Sequence, residues 1–305
     1  MTCDLRLINW YSFPTIDPVR KILVPIAVPV GLAVGAALAA PPLLKRLFAV
    51  PQRAVPDTTP AHLGLEGEHV WIDGPSGKRL HAWFIPVDTE APAVVVLHGW
   101  GGNATDMLPI APGINSVGFH ALFLDARTHG LSDNEDFMSM PRFAEDLDTA
   151  LAWLHARDDV TTVGVIGHSV GAAAAILAAS RDTTIDAVVA VASFAHPEEL
   201  MWRAIPYPAP VKWTLLRIIR RMIGVSFDDI APRNRIGEVK VPVLLLHGDA
   251  DDVVPVEDAL SLHEHLPSSR LITVPGGTHS DLEAFEPYFE QVDDFLRSAL
   301  VGAEV

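Results

Sequence analysis

Gly167-His168-Ser169-Val170-Gly171 follows the apolar run Val163-Gly164-Val165-Ile166 and precedes the alanine-rich run Ala172 to Ala179. The order reads as strand, G-x-S-x-G turn and helix. A serine at the apex of so sharp a turn is held in strained backbone with its hydroxyl projecting. Gly167 and Gly171 supply the room that close packing of strand and helix demands. The helix N-terminus aims amide hydrogens and the positive end of its dipole at any anion that forms there. A lone G-x-S-x-G arises often by chance, and Ser169 could then be an ordinary helix cap. Between a buried strand and a helix, it points to a nucleophile.

A serine nucleophile needs a base, an orienting acid and donors for an oxyanion. Upstream, Ala93-Val94-Val95-Val96-Leu97 reads as a buried strand that ends in His98-Gly99-Trp100-Gly101-Gly102-Asn103. The amides of Trp100 and Val170 are the expected pair of oxyanion donors. Downstream, the strand Val243-Leu244-Leu245-Leu246 runs into His247-Gly248-Asp249-Ala250-Asp251-Asp252-Val253-Val254-Pro255, where three aspartates compete for the acid role. Leu271-Ile272-Thr273-Val274 leads into Pro275-Gly276-Gly277-Thr278-His279, a histidine in a glycine loop past a strand end. His263 and His265 are its rivals, but both fall in a predicted helix. They would face opposite sides of it, which also argues against a metal site at His263-Glu264-His265. His98, His168 and His247 flank strand ends and read as structural, hydrogen-bonded histidines.

The order Ser, Asp, His on alternating strands and helices resembles the α/β-hydrolase fold over about residues 65 to 300. Five motifs carry the resemblance: H-G-x-G-G at 98–102, D-x-R-x-H-G-x-S at 125–132, G-H-S-x-G at 167–171, H-G-x-x-D-x-V-V-P at 247–255 and G-x-H at 277–279. By that resemblance the acid is Asp251, four places after the motif's histidine. Thr128 departs from the family's more usual glycine before the histidine, in a loop that is structural in the family. The resemblance implies a catalytic set of Ser169, Asp251 and His279 with oxyanion donors Trp100 and Val170. It implies no cofactor and no metal.

The coarse element order agrees. His69–Asp73 and Arg79–Pro86 alternate around Gly74-Pro75-Ser76-Gly77 and read as a hairpin. Strand 93–98, a helix near 104–117, strand 120–125 and a helix near 141–156 precede the nucleophile unit. Strand 187–192, an insertion at 194–238, strand 243–247, helix 256–266, strand 271–274 and a helix over 281–300 follow it. Strands alternating with helices predict a mainly parallel sheet covered on both faces.

The 305 residues suit one large domain with an appendage. At 49% hydrophobic the chain can bury a full α/β core. A net charge of −16 argues against a nucleic-acid partner. A single cysteine, Cys3, excludes an internal disulfide.

Residues 1–46 are expected to hold a membrane anchor. Ile22 to Leu44 carries no charge over 23 residues, long enough as a helix to cross a hydrocarbon core. Arg20-Lys21 and Lys45-Arg46 bracket it, and the charge balance gives no orientation. The rival is a secretory signal cleaved after Ala37-Leu38-Ala39, which would leave a secreted or periplasmic protein. Gly31 and Gly35 form a G-x-x-x-G that could pair two spans as a homodimer. Residues 47–64, with Pro51, Pro56 and Pro60, read as a tether before the domain at 65–305.

The insertion after the sixth strand is the expected short helical cap. Leu200 to Val225 holds Arg203, Lys212, Arg217, Arg220 and Arg221 and no acid. On a helical wheel Val211, Leu215, Leu216, Ile218, Ile219, Met222 and Ile223 share one side, while Trp213, Arg217, Arg220 and Arg221 share the other. One reading is a solvated back; the other is contact with anionic lipid headgroups.

These features are similar to those of membrane-anchored serine hydrolases with a short cap, of the BEM46-like and lysophospholipase-like branches. The implied reaction is hydrolysis of a carboxylic ester with a lipid-like or medium-chain acyl group. A serine peptidase or acyltransferase would use the same residues, and a non-catalytic membrane scaffold is the reading from a different class. Dehalogenases and epoxide hydrolases of this fold place Asp at the nucleophile, so Ser169 argues against both.

Overall fold

Short apolar runs become the strands of one eight-stranded sheet in the computed structural model, which describes residues 58–181 and 184–302. The strands are β1 (Glu68–Asp73), β2 (Arg79–Ile85), β3 (Ala91–Leu97), β4 (His120–Leu124), β5 (Val160–His168), β6 (Ala187–Val191), β7 (Val243–Gly248) and β8 (Arg270–Val274). Their spatial order is β1-β2-β4-β3-β5-β6-β7-β8. The hairpin β1–β2 and the β2–β4 pair are antiparallel, and every later pairing is parallel. The strands β3 to β7 are apolar almost throughout because helices cover both faces of the sheet.

The helices are α1 (Ala104–Met107), α2 (Ala111–Ser116), α3 (Met140–His155), α4 (Val170–Ala179), α5 (Pro197–Ala204), α6 (Ala209–Ile223), α7 (Phe227–Ile230), α8 (Pro232–Arg235), α9 (Val256–His265), α10 (Leu282–Phe285) and α11 (Phe289–Leu300). Strand side chains alternate between two cores. Val95, Leu97, Val165 and Val188 face one with α3 and α4; Val94, Val96, Ile166 and Val189 face the other with α11. All ten residues of α4 are buried, and its alanines let it lie close to both the sheet and α3.

Three expectations change. The helix expected near 104–117 is broken into α1, a 3-10 turn at Leu108–Ile110 and α2, because Pro109 and Pro112 interrupt the hydrogen-bond ladder. The final helix expected over 281–300 is likewise α10, a 3-10 turn at Glu286–Tyr288 containing Pro287, and α11. The end of the expected tether is already packed: Pro60 is buried, and a Cβ on Gly67 would lie 2.6 Å from its ring. The anchor expected at 22–44 and the tether up to residue 57 lie outside the described residues. Among the described residues no helix is long and apolar enough to cross a membrane.

The insertion between β6 and β7 holds α5 to α8. Leu216 and Ile219 on α6 are buried in the same core as Val170 and Phe194. Val211, expected on that apolar face, is instead exposed near the N-terminus of α6.

Candidate active site

Parallel strands present their C-terminal ends on one edge, and the loops leaving that edge are where open α/β sheets place ligands. Ser169 leaves β5 there. Its backbone sits at φ 55°, ψ −116°, outside the regions an L-residue favours. Surrounding bonds hold it: its amide donates to the Val191 carbonyl at 2.9 Å, and its carbonyl accepts from Ala173 at 3.0 Å. The glycines are steric requirements. A Cβ on Gly167 would lie 2.5 Å from the backbone of Gly171 and Ala172, and one on Gly171 would lie 2.5 Å from the Leu97 carbonyl oxygen.

The loops after β7 and β8 bring the other two groups to Ser169. The strands pair His247 with Thr273 and Gly248 with Val274. Beyond them the Ala250 amide donates to the Gly277 carbonyl at 3.0 Å. The contact is so close that a Cβ on Gly248 would fall 2.1 Å from that carbonyl oxygen. His279 Nε2 lies 3.0 Å from Ser169 Oγ, and its Nδ1 lies 2.8 Å from Asp251 Oδ2. With Nδ1–H donating to the carboxylate, Nε2 is left to accept the hydroxyl proton.

The three aspartates separate by what they touch. Asp251 has a fully buried side chain, and its Oδ1 accepts from the amides of Val253 at 2.9 Å and Val254 at 2.8 Å. Burial pushes its carboxyl up, but hydrogen bonds to the side chains of His247 and His279 outweigh that and hold it below the usual carboxylate range. Asp249 is exposed and accepts from the Gly276 amide at 2.6 Å, fixing the loop that leads to His279. Asp252 is exposed, and its carboxylate has no hydrogen bond or ion pair among the described residues.

Val170 opens α4, so its amide has no acceptor within the helix. Trp100 stands in the loop after β3, its indole stacked on Phe143 at 6.2 Å. That loop is pinned along its length. The Gly101 amide donates to His129 Nε2 at 3.2 Å, the Gly102 amide to the Gly99 carbonyl at 3.2 Å and the Ala104 amide to Asp125 Oδ1 at 2.7 Å. His98 Nδ1 donates to the Gly99 carbonyl at 2.7 Å, and its Nε2 accepts from the Ala126 amide at 3.2 Å.

The segment 125–132 therefore braces the loop that carries Trp100, which gives its residues a physical role. Arg127 is buried and pairs with Asp146 at 2.6 Å and Glu145 at 2.7 Å, both on α3. Thr128 adopts φ 68°, the left-handed conformation that a glycine takes without strain. The family's usual glycine before the histidine thus has a geometric reason here. Sequence reading missed the partners of Asp125. It is buried and accepts from His81 Nδ1 at 2.8 Å, and His81 Nε2 bonds His69 Nδ1 at 2.8 Å. The only signal was that His69 and His81 stand on opposed strands of the hairpin.

His168, read as structural from its position, bonds the backbone of the candidate base: its Nε2 donates to the His279 carbonyl at 2.8 Å. His263 and His265 stay on α9, bonded to Ser269 and Ser261.

Comparison with known proteins agrees with this architecture. Residues 89–230 match the family model described as serine aminopeptidase, S33, and residues 223–304 match the one described as TAP-like protein. Protein Rv2307c of Mycobacterium tuberculosis, itself uncharacterized, is 30% identical over 230 residues, 72% of this chain and 75% of its own. The α/β hydrolase domain-containing protein WAV2 of Arabidopsis thaliana is 27% identical over 257 residues, 78% of this chain and 81% of its own. In three dimensions the esterase Pf2001 of Pyrococcus furiosus superimposes with a TM-score of 0.67 at 23% identity, over 82% of this chain and 99% of that one. A ferulic acid-bound Est1E of Butyrivibrio proteoclasticus does so at 0.65 and 21% identity, over 75% of this chain and 98% of that one. With the strand order, the elbow at Ser169 and these likenesses together, the chain belongs to the α/β-hydrolase family.

Proposed function

We propose that this chain is a serine hydrolase of carboxylic esters with lipid-like or medium-chain acyl groups, acting through an acyl-enzyme. Ser169 Oγ attacks the ester carbonyl while His279 Nε2 takes its proton. The negative charge that develops on the carbonyl oxygen is met by the amides of Trp100 and Val170 at the N-terminus of α4. Collapse of the tetrahedral intermediate expels the alcohol, which leaves with the proton held on His279. Water then enters, gives a proton to His279 and its oxygen to the acyl carbon, and the second collapse returns the proton to Ser169. Asp251 holds the imidazole in the tautomer that keeps Nε2 available and stabilises the imidazolium.

The observation that carries this reading is the 3.0 Å contact between His279 Nε2 and a Ser169 held at φ 55°. A serine that merely capped a helix would need neither the strain nor the base. Fluorophosphonate labelling of the purified protein, followed by hydrolysis rates across p-nitrophenyl esters of increasing acyl length, tests it. Labelling should map to Ser169, and Ser169→Ala should lose labelling and turnover while keeping its melting temperature. Undiminished ester turnover by Ser169→Ala would overturn the mechanism.

The family description serine aminopeptidase favours one second reading, a peptidase using the same groups. Aminoacyl amides compared with esters of the same acyl part separate the two. The proposal includes a single membrane anchor at residues 22–44, resting on the charge-free span and its basic flanks. An intact N-terminus in the membrane fraction supports it; a mature chain that begins at Ala40 overturns it in favour of a cleaved signal.

A further inference from the structure

Charge pairing among the described arginines is uneven. Arg79, Arg127, Arg142, Arg157, Arg181, Arg203, Arg233, Arg235 and Arg297 each pair with a carboxylate, and Arg270 bonds Gln291. Among the described residues the remaining arginines, Arg217, Arg220 and Arg221, have no such partner. All three are exposed and lie on α6, in a stretch from Leu200 to Val225 that contains no acid. In a chain of net charge −16, acids to pair with them would have been easy to place.

The same face carries exposed aromatic surface. Trp213 stands four residues before Arg217, within one stripe of the helix, and is 64% exposed. Tyr207, 48% exposed, lies just before the start of α6. Tryptophan and tyrosine with arginine is the composition that sits at a headgroup layer, where the rings meet acyl chains and the cations meet phosphate. The opposite side of α6 is anchored in the core by Leu216 and Ile219, so the stripe is displayed on a fixed helix.

We propose that the exposed stripe Trp213–Arg217–Arg220–Arg221 docks the cap on the surface of an anionic lipid bilayer. The rest of a strongly acidic protein is repelled from such a surface, so a locally basic face also sets which side approaches it. The docking does not require Ser169 chemistry and is measured without it.

The full-length protein is reconstituted with vesicles of phosphatidylcholine carrying brominated acyl chains, with and without phosphatidylglycerol. Quenching of Trp213, taken as wild type minus Trp213→Phe, reports the docked fraction whatever holds the remainder of the chain. Quenching should appear as phosphatidylglycerol is added and weaken at high salt. Replacing Arg217, Arg220 and Arg221 with Gln should cut the ratio of docked to undocked cap by about fivefold per residue, on the order of 100-fold together. Hydrolysis of a short soluble ester should stay unchanged in that variant, which also reports that it is folded. The Ser169→Ala protein should dock as wild type does, so loss of the ester reading leaves this test intact. Equal quenching on neutral and anionic vesicles, or equal docking by the triple Gln variant, overturns the proposal. So does displacement by a soluble acidic peptide at a matching charge concentration, which would make the partner a protein.

Discussion

His168 donates from Nε2 to the carbonyl oxygen of His279, at 2.8 Å. The residue before the candidate nucleophile thus fixes the backbone of the candidate base. Its ring is also wedged against the loop after β3, where a Cβ on Gly99 would come 2.8 Å from Nδ1. Burial, with a smaller contribution from His279, pushes the His168 pKa down to about 4.

That shift makes stability depend on pH. The unfolded chain takes a proton on His168 near pH 6.5, whereas the folded one resists until about pH 4. Stability is therefore full above pH 6.5 and falls as pH drops through that window, by at most about 3 kcal/mol. His168→Gln retains a donor for the His279 carbonyl and cannot titrate. Its urea midpoint should fall less than that of wild type between pH 7 and pH 4.5. Parallel curves for the two proteins would falsify the assignment.

Asp251→Asn should reduce turnover by a factor on the order of 10⁴, as in the serine proteases, because an amide can hold the imidazole in the wrong tautomer. Asp252→Asn removes no hydrogen bond or ion pair among the described residues and should leave the rate near wild type. Asp249→Asn weakens the hold on Gly276 and should cost less than about tenfold, the order of one modest hydrogen bond. The check is kcat for the three proteins on one ester. A crippled Asp252→Asn with an active Asp251→Asn would reassign the acid.

Gly171→Ala should damage both stability and reactivity. The added Cβ meets the carbonyl oxygens of Leu97 at 2.5 Å and His98 at 2.6 Å, which belong to the central strand β3 and its loop. The N-terminus of α4 has to move away from them. Overpacking of this kind costs roughly 1–3 kcal/mol, or roughly 2–12 °C in Tm for a domain of this size. The rate of fluorophosphonate labelling of Ser169 should fall further than the stability loss explains. A variant with normal Tm and normal labelling would show that the elbow has slack which its contacts deny.

What the sequence reveals here is local. The run Ala93 to Leu97, the glycines around Ser169 and the loop at His279 declare themselves because a buried parallel strand must be apolar and a tight turn must lack side chains. The prolines at 109 and 287 stand in the sequence too, but the expected helices run straight through them. Pairings between distant segments leave no such mark. Nothing in the neighbourhood of His168 announces the His279 carbonyl, 111 residues away. Resemblance singled out Asp251 among three aspartates, and the separate partners of Asp249 and Asp251 now give a physical basis for the distinction. Thr128 looked like a harmless departure from a glycine, and its φ of 68° shows what the glycine is for.

Arg127 offers the strongest separation of stability from chemistry. Its side chain is 1% exposed and that of its partner Asp146 is 0% exposed. Nε donates to Asp146 Oδ1 at 2.6 Å, and one terminal nitrogen donates to both Glu145 at 2.7 Å and the Arg142 carbonyl at 3.1 Å. A buried pair of this kind gives modest net stability, because both ions were taken out of water. Removing one member is different, since it strands the other. Arg127→Met should therefore be destabilising, by up to about 3–5 kcal/mol, because it leaves the buried Asp146 carboxyl, whose pKa burial already pushes up to about 7, without its cation and forces it to take up a proton. Asp146→Leu in the same protein should restore much of that loss, giving a coupling energy well above 0.5 kcal/mol in a double-mutant cycle. Turnover should recover less. Arg127 also positions the segment that carries His129, whose Nε2 accepts from the Gly101 amide in the loop around Trp100. With the ion pair replaced by apolar contact, the domain should melt near wild type while that loop is held less firmly, so kcat stays depressed with little change in KM. Denaturant midpoints and ester kinetics on the single and double variants give both readouts. Full recovery of kcat together with stability would confine Arg127 to folding alone.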